Sequence, residues 1–432
     1  METKLQSKAA LEVVTSKLAA RWSGRDPFEL ANRATAQLMD SASDWSQPPG
    51  VEFKRSPVRL GVGIPDAVTL PREELLEALQ RAMAAPRDRP LRYHFGPGFE
   101  QLREQLASRY TRDRGLPVDR DWFRLTNGSS GAIDLICRAM IEPGDIIVSE
   151  EPSYMGTLHN FRGVEAEIRS VPMDEEGMLA EALEKVLREA AEAGRRVKLI
   201  YTISSFQNPT GVSISEARRR ELLRVASEYD ALILEDDAYA ELYFGEPPQQ
   251  PLFAMSGGHG VVSVGTFSKI LATGLRVGWI HARPEWIEFF GRMRFDMGQS
   301  VLVHRMLAEY IEDGRLDAHV EMMRGLYADK ARLLCSSLEE FAGGCLRFAP
   351  PGGGFYLWVE LLEGLTADAL WRAGAEEGVW FPAGPSFFPD RVDPTGEHIR
   401  LAFPWTSTEE LREGARRIGL ACQRLAREGV AR

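Results

Sequence analysis

The sequence lacks the features that mark a secreted, membrane-spanning or nucleic-acid-binding protein. It has 4 cysteines in 432 residues, and none of them forms a C-x-x-C pair or a metal-ligand spacing, which favours reduced thiols and a cytoplasmic location. No stretch reaches the ~18 apolar residues that a membrane-spanning helix needs, and the N-terminal METKLQSKAALEVVTSKLAARW has no signal-peptide core. The formal net charge of −11 argues against nucleic acid or an anionic membrane as a partner.

Internal repeats and low-complexity segments are also missing, and what remains is an ordinary globular composition with 44% hydrophobic residues. A chain of 432 residues is too long for one ordinary core and predicts more than one domain. We predict an N-terminal helical arm and linker over residues 1–50, a large domain over 51–310 and a small C-terminal domain over 311–432. The first residues of the large domain could instead belong to the small one.

Short apolar runs alternate with helical patterns between about residues 90 and 310. This alternation predicts a largely parallel sheet covered by helices. From about residue 315 a long helical pattern, the strand-like RFAPPGGGFYLWVEL and HIRLAF, and further helices predict a smaller α+β lobe. The predicted strands of the large sheet are Trp122–Leu125, Asp145–Val148, Val197–Thr202, Ala231–Leu234, Val261–Val264 and Val277–His281.

Polar segments follow five of these strands, where ligands bind in parallel sheets. Each segment alone has a plain interpretation: a helix N-cap, a packed aromatic ring, a turn, a solvated acidic turn or a salt-bridged lysine. Together they offer a phosphate site, an aromatic face, an amide, an acid with a phenol, and a lysine with an arginine. That combination fits pyridoxal 5′-phosphate, a phosphorylated heteroaromatic aldehyde. The five segments are TNGSSGAID, EEPSYMG, SSFQNPTG, EDDAYAELYF and GTFSKILATGLRVGW.

The order and spacing of FQNPTG, EDDAY and SKILATGLRVGW closely resemble the fold type I pyridoxal-phosphate enzymes. Within these, the chain is most similar to the class I/II aminotransferase branch, and there to its α-aminoadipate- and kynurenine-type members. The resemblance covers about residues 58–412. It implies an α/β fold, in which a large domain with a mostly parallel, seven-stranded sheet sandwiched by helices is joined to a smaller α+β domain.

The resemblance also implies a role for each residue at the strand ends. Lys269 matches the Schiff-base lysine, and Asp236 matches the acid that pairs with the pyridine nitrogen and keeps the ring an electron acceptor. Asn208 and Tyr239 match the groups that bond to the 3-oxygen of the ring, and Tyr154 matches the stacking aromatic residue. The residues that match the phosphate-binding cup are Ser129, Ser130, Thr266, Ser268 and Arg276.

Three more residues are assigned by the same resemblance. Arg400 in HIRLAF matches the arginine that clamps the substrate α-carboxylate with its planar fork. Gly63 in GVGIPDAVTLP matches the entry loop beside the substrate, which Asn208 also contacts. Tyr93 in LRYHFGPGFEQLR matches a tyrosine that reaches the phosphate of the neighbouring subunit, which implies a homodimer with shared active sites.

The function that the resemblance implies is an aminotransferase acting on an α-amino acid and a keto acid, with the Lys269 amine as general base. The same residues would also start β- or γ-elimination, replacement or carbon–carbon bond formation. A remoter alternative is a cofactor-binding regulatory domain without turnover, but no DNA-binding module is visible in the first 50 or so residues. Gln299 and His304 depart from the family pattern, in a segment that can line the neighbour's substrate site, and their roles stay open.

Overall fold

The chain forms two compact units, Met1–Ser43 and Asp44–Arg432. The first contains the helices α1 (Glu2–Trp22) and α2 (Arg33–Leu38). Residues 39–50, at the end of the predicted arm and linker, lie outside the described part of the chain. The computed structural model describes residues 2–38, 53, 55–84, 89–294, 298–312, 314–362, 364–394 and 396–428.

The second unit alternates strands and helices, as the sequence pattern predicts. Its strands within the described residues are β1 (Val58–Arg59), β2 (Phe123–Thr126), β3 (Ile146–Glu151), β4 (Glu167–Asp174), β5 (Gly177–Met178), β6 (Val197–Thr202), β7 (Leu232–Asp236), β8 (Val261–Thr266), β9 (Gly278–His281), β10 (Leu346–Arg347), β11 (Tyr356–Leu361), β12 (Val379–Trp380) and β13 (His398–Ala402). Its helices there are α3 (Arg72–Met83), α4 (Glu100–Arg114), α5 (Gly128–Met140), α6 (Met155–Gly163), α7 (Ala180–Glu192), α8 (Glu216–Glu228), α9 (Leu252–Met255), α10 (Phe267–Ile270), α11 (Pro284–Arg292), α12 (Val301–Glu312), α13 (Arg315–Ala342), α14 (Ala367–Glu377) and α15 (Thr408–Glu428). Among the described helices of the whole chain, none combines the length and the apolarity that a membrane crossing requires.

The largest sheet has the strand order β2-β9-β8-β7-β6-β3-β4-β5. Its central strands β4, β3, β6, β7 and β8 are parallel, while β9, β2 and β5 are antiparallel to their neighbours. The strand β7 is buried along its whole length, as expected for a parallel sheet with helices on both faces. This confirms the predicted mostly parallel sheet, which the two-residue β5 extends at one edge. The chain reverses its direction of travel across the sheet between β3 and β6, which is where ligands bind in such folds.

The segment after α12 forms a smaller antiparallel sheet in which β11 pairs with both β10 and β13. The long helix α13 packs against α15 beside it. At the start of α15 the backbone N–H of Glu410 donates to Ser407 Oγ at 3.2 Å, and that of Ser407 donates to Glu410 Oε2 at 3.1 Å, which is a capping box. The residue at which a large domain gives way to a small one stays a prediction.

Sequence reasoning missed two strands of the large sheet, the two-residue β5 and the longer β4. Half of the β4 sequence EIRSVPMD is polar and most of its residues are half-exposed, because β4 pairs with β3 on one side and only with β5 on the other. A strand near the sheet edge needs no continuous apolar run and tolerates the proline that it carries. The apolar-run criterion therefore finds the central strands and passes over this one.

Candidate active site

Lys269 lies in α10, directly after the carboxyl end of β8, and its side chain is half-buried. Its Nζ donates a hydrogen bond to the backbone oxygen of Gly63 at 2.8 Å. The same atom lies 5.8 Å from the ring centre of Tyr239 and 5.7 Å from that of Phe355. A Cβ at Gly63 would come within 2.0 Å of the Tyr356 hydroxyl, so only glycine lets the entry loop approach so closely. The amine therefore stands between aromatic rings and the backbone of this loop.

Asp236 is the last residue of β7, and its carboxyl group is buried. Tyr201 in the neighbouring β6 donates to Asp236 Oδ2 at 3.1 Å, and Thr157 of α6 donates to Tyr201 at 3.1 Å. Asp236 Oδ1 is also buried and has no hydrogen-bond partner among the described residues. Burial raises the pKa of Asp236 to about 6, although the Tyr201 hydrogen bond and the charge of Lys269 lower it. A buried acceptor of this kind requires a donor.

Arg400 of β13 is buried, and its guanidinium group lies beside Asn208, which lines the same cavity as Lys269 and Asp236. Its Nη1 donates to Asn208 Oδ1 at 2.9 Å, and its Nη2 donates to the backbone oxygen of Gly61 at 2.8 Å. Its Nε has no partner among the described residues. The ring of Tyr356 lies 4.3 Å from the guanidinium carbon. Arg400 thus joins the smaller sheet to the loop that carries Asn208, with a donor left over.

A cationic, hydroxyl-rich corner forms where α5 begins. Ser129 and Ser130 lie in its first turn, where backbone N–H groups have no intrahelical partner and favour an anion. Arg276 donates to the backbone oxygen of Asn127 at 3.2 Å, and its own backbone is left-handed, with φ 53°. A Cβ at Gly128 would lie 2.8 Å from the Arg276 guanidinium. Glycine at this position gives the cation room to reach the helix start.

Two further walls of the site are hydroxylic and aromatic. The hydroxyl of Thr266 donates to Ser268 Oγ at 2.9 Å and accepts from the Ser268 N–H at 3.0 Å, so these side chains order each other at the end of β8. Tyr154 precedes α6, and burial raises the pKa of its phenol to about 12. A Cβ at Gly156 would lie 2.7 Å from the Tyr154 ring, so this ring packs closely against the helix start.

One cavity brings most of the predicted site residues together. Arg400 and Gly63 border it through their hydrogen bonds to Asn208 and Lys269. Tyr93 does not line it, and its side chain is 71% exposed. The roles of all these residues remain predictions. The predicted residues that line the cavity are Ser129, Ser130, Tyr154, Asn208, Asp236, Tyr239, Thr266, Ser268, Lys269 and Arg276.

The two residues that depart from the family pattern lie near the start of α12. His304 is buried and its Nε2 has no hydrogen-bond partner among the described residues. Burial, together with the charges of Arg294 and His94, lowers the pKa of His304 to about 4. His304 is therefore neutral near pH 7 and packed, as buried histidines usually are. Gln299 is half-buried just before the helix.

Sequence reasoning missed the residues whose hydrogen bonds hold the predicted site residues in position. Glu150, at the end of β3, is fully buried and accepts hydrogen bonds from Gln207 Nε2 at 3.0 Å and the Ile203 N–H at 3.2 Å. Gln207 precedes Asn208, so Glu150 holds the Asn208 loop in place. Glu150 could have been singled out from the sequence, because it is an acidic residue at the end of an apolar strand. Tyr201 and Tyr356 lie inside strands, where an aromatic residue is ordinary.

The three acids that follow the apolar run of β7 have separate partners. Glu235 accepts from the Leu252 N–H at 2.8 Å and lies 3.7 Å from Arg219, with both side chains fully buried. Asp237 lies 3.7 Å from Arg114. Glu235 and Asp237 thus each have a cationic partner, and Asp236 is the acid of the three that lines the cavity with Lys269.

Arg219 also holds the loop that leads to Asn208, since its Nη2 donates to the backbone oxygen of Ser204 at 2.6 Å. We predict that Arg219→Met lowers the free energy of unfolding by about 3–5 kcal/mol, because it leaves Glu235 buried without its cation. Urea titration measures this. The matched control is Arg220→Met, which breaks an exposed pair with Glu216 and should cost less than about 1 kcal/mol. If both variants lower the free energy of unfolding equally, Arg219 does not stabilise the fold through Glu235.

Comparisons with known proteins give a consistent result. A family model described as aminotransferase class I and II matches residues 55–418. The chain is 35% identical to an aromatic-amino-acid aminotransferase of Thermococcus litoralis over 84% of its length and 87% of that protein. It is 32% identical to a 2-aminoadipate transaminase of Thermus thermophilus over 91% of its length and 96% of that protein.

The fold is also similar to solved structures. One is the α-aminoadipate aminotransferase LysN of Thermus thermophilus, complexed with N-(5′-phosphopyridoxyl)-L-leucine. The two structures superpose with a TM-score of 0.83 and are 30% identical, over 94% of this chain and 100% of that one. At this identity and coverage the similarity extends through both sheets.

Proposed function

Since this chain belongs to the class I and II aminotransferase family and is a pyridoxal-phosphate-dependent aminotransferase, we propose that the cavity around Lys269 is its active site. The observation that carries the proposal is that Lys269 and Asp236 line the same cavity, with Asp236 Oδ1 buried and no donor to it in the described part of the chain. A protonated pyridine nitrogen is the donor that this oxygen requires. The residues therefore fit the cofactor.

The proposed cofactor contacts follow from the cavity walls. Asp236 pairs with the ring nitrogen, Tyr154 covers a ring face, and Asn208 and Tyr239 bond to the ring oxygen. The first turn of α5 is the place for the phosphate, because its free N–H groups favour an anion. The residues proposed to hold the phosphate are Ser129, Ser130, Thr266, Ser268 and Arg276. When bound, the cofactor supplies an electron sink for the pair released from the substrate Cα–H bond.

Lys269 is proposed to carry the cofactor and, once its amine is free, to remove the α-proton as general base. Its present partner, the Gly63 backbone oxygen at 2.8 Å, keeps the amine within the cavity. Arg400 is proposed to bind the substrate α-carboxylate with its planar fork, which would orient the Cα–H bond towards Lys269. Burial of Arg400 supports this role, because a buried cation without an anion is costly.

We also propose a homodimer with shared active sites, in which Tyr93 reaches the neighbour's phosphate. The side chains of Leu91, Tyr93 and Phe95 are 67%, 71% and 66% exposed, and adjacent exposed apolar residues of this size usually mark a contact surface. Sedimentation velocity tests whether the protein is a dimer.

Four free cysteines and the acidic net charge support a cytoplasmic protein that does not bind nucleic acid. A large domain over 51–310 and a small one over 311–432 remain part of the proposal.

The affinity for pyridoxal phosphate should fall as the pH drops below about 6. Burial raises the pKa of Asp236 to about 6, and only the ionised carboxylate pairs with a protonated ring nitrogen. As the pH falls through this pKa, Asp236 takes up a proton that binding must expel, so affinity drops by up to about tenfold per pH unit. Equilibrium dialysis of the cofactor-free protein from about pH 5 to about pH 8 measures this dependence.

The phosphate group titrates in the same range, with a pKa of about 6, so the comparison with Asp236→Asn is the decisive one. The variant keeps the phosphate dependence and should lose the part that belongs to Asp236. Identical slopes in the two proteins would contradict the pairing of Asp236 with the ring nitrogen.

The proposed activity is tested by a single half-reaction. The cofactor-loaded protein is mixed with aromatic amino acids, 2-aminoadipate or alanine, without any keto acid, and the products are identified by mass spectrometry. Aminotransfer should release one keto acid for each active site and no ammonia. Release of ammonia or of a leaving group would instead show elimination or replacement, and the panel identifies the side chain that the site prefers.

A further inference from the structure

Tyr356 is a buried phenol that the implied cofactor contacts do not use. It is the first residue of β11, and its hydroxyl lies 3.2 Å from that of Tyr239. Gly63 packs closely against this hydroxyl, because a Cβ at Gly63 would come within 2.0 Å of it. The two phenols therefore share one hydrogen bond, and either oxygen can be the donor.

The charges around the pair decide which phenol donates. Lys269 and Arg400 act on the hydroxyl of Tyr356, and the guanidinium carbon of Arg400 lies 4.3 Å from the Tyr356 ring. Tyr239, whose ring centre lies 5.8 Å from Lys269 Nζ, also has Tyr154 and Asp236 as neighbours. Burial raises the pKa of Tyr356, but the charges of Lys269 and Arg400 and the hydrogen bond with Tyr239 together lower it overall. Burial raises the pKa of Tyr239 well above its usual value, and the neighbouring Tyr356 and the acidic groups raise it further. The stronger acid is the better donor, so Tyr356 donates and the oxygen of Tyr239 accepts.

We propose that Tyr356 is a positioning residue for the reaction, whose hydroxyl donates to Tyr239 and leaves the Tyr239 proton free for the cofactor's ring oxygen. This inference rests on the proposed function, because it uses the contact between Tyr239 and that oxygen. Hydrogen bonds in a chain polarise one another, so a Tyr239 that accepts from Tyr356 is also a stronger donor to the cofactor.

The consequence is a shift in a titration that does not depend on turnover. With the cofactor held by Lys269, a proton would be shared between the lysine nitrogen and the ring oxygen. A stronger Tyr239 donor would compete for this oxygen, so the lysine nitrogen would lose its proton at a lower pH. Tyr356→Phe weakens that donor, and the pH midpoint of the cofactor's visible absorption band should rise by about 0.5–1 unit.

The control for a merely structural effect is Tyr310→Phe, since Tyr310 is an equally buried tyrosine in α12 outside the cavity; its midpoint should stay at the wild-type value. A double-mutant cycle then tests whether Tyr356 acts through Tyr239. In a Tyr239→Phe background, Tyr356→Phe should shift the midpoint no further. A midpoint that is unchanged or lower in the single variant overturns the proposal. An equal rise in both backgrounds also overturns it, because Tyr356 would then act directly.

The outcome also separates this inference from the proposed function. If the wild-type protein forms no visible band with pyridoxal phosphate, the active-site assignment itself fails. If the band forms and titrates but Tyr356→Phe leaves its midpoint in place, the assignment stands and only the role of Tyr356 is wrong.

Discussion

Replacing Lys269 by alanine is expected to lower the turnover of an α-amino acid by about 10⁴-fold or more. The substitution removes both the amine that would carry the cofactor and the base that would take the α-proton. No other lysine lines the cavity among the described residues, so no neighbour can replace it. The assay is keto acid release under saturating cofactor.

Mass spectrometry gives this prediction a second readout. After borohydride reduction, the wild-type protein should carry the cofactor on the peptide that contains Lys269, and the variant should carry none. The matched control is Lys198→Ala, because Lys198 Nζ pairs with Asp145 at 2.6 Å at the amino end of its strand. That variant should keep wild-type turnover. A Lys269→Ala protein that retains turnover close to the wild type would show that the active site lies elsewhere.

Arg400→Lys should lower kcat/KM for an α-amino acid by roughly 10²- to 10³-fold. Lysine keeps the charge but loses the planar fork, so the α-carboxylate would bind without a defined orientation. The loss should be confined to substrates that have this group. Assays with an amino acid and with the amine formed by its decarboxylation measure the difference, and the ratio of their kcat/KM values should fall in the variant.

A surface arginine that lies over an aromatic ring provides the control. Arg412 also lies over an aromatic ring, 5.2 Å from that of Phe341, and pairs with Glu340. Arg412→Lys should leave the ratio unchanged. If Arg400→Lys lowers kcat/KM equally for the amino acid and the amine, Arg400 supports the fold and does not bind the carboxylate.

The central strands could be predicted because a parallel sheet with helices on both faces leaves an unbroken apolar run in the sequence. The strand Val197–Thr202 begins and ends as predicted, and β7 and β8 extend two residues beyond their predicted runs. β4 could not be found this way, since its side chains are half-exposed. The two-residue strands β1 and β12 depend on each other for pairing, and no local pattern predicts a contact between distant segments.

The site residues, like the strands, could be predicted only where the local sequence pattern marks them. Residues that follow strands, such as Asn208 and Lys269, are visible as polar interruptions in the sequence. Tyr201 and Tyr356 act through hydroxyls on aromatic side chains inside strands, where the pattern indicates only burial. Their partners, Asp236 and Tyr239, are 35 and 117 residues away in the chain, so only the folded structure reveals these hydrogen bonds.

The entry loop has a consequence for selectivity. The carbonyl oxygens of Gly61 and Gly63 accept hydrogen bonds from Arg400 and Lys269, so a ligand that takes these same donors must displace the protein's own main chain. At Arg400 a carboxylate would be favoured in this exchange, because its hydrogen bonds are roughly twice as strong as those of a neutral carbonyl. Neutral molecules gain nothing from it. Because the loop carbonyls compete with ligands for these cations, molecules that bind them weakly would be excluded before any reaction begins.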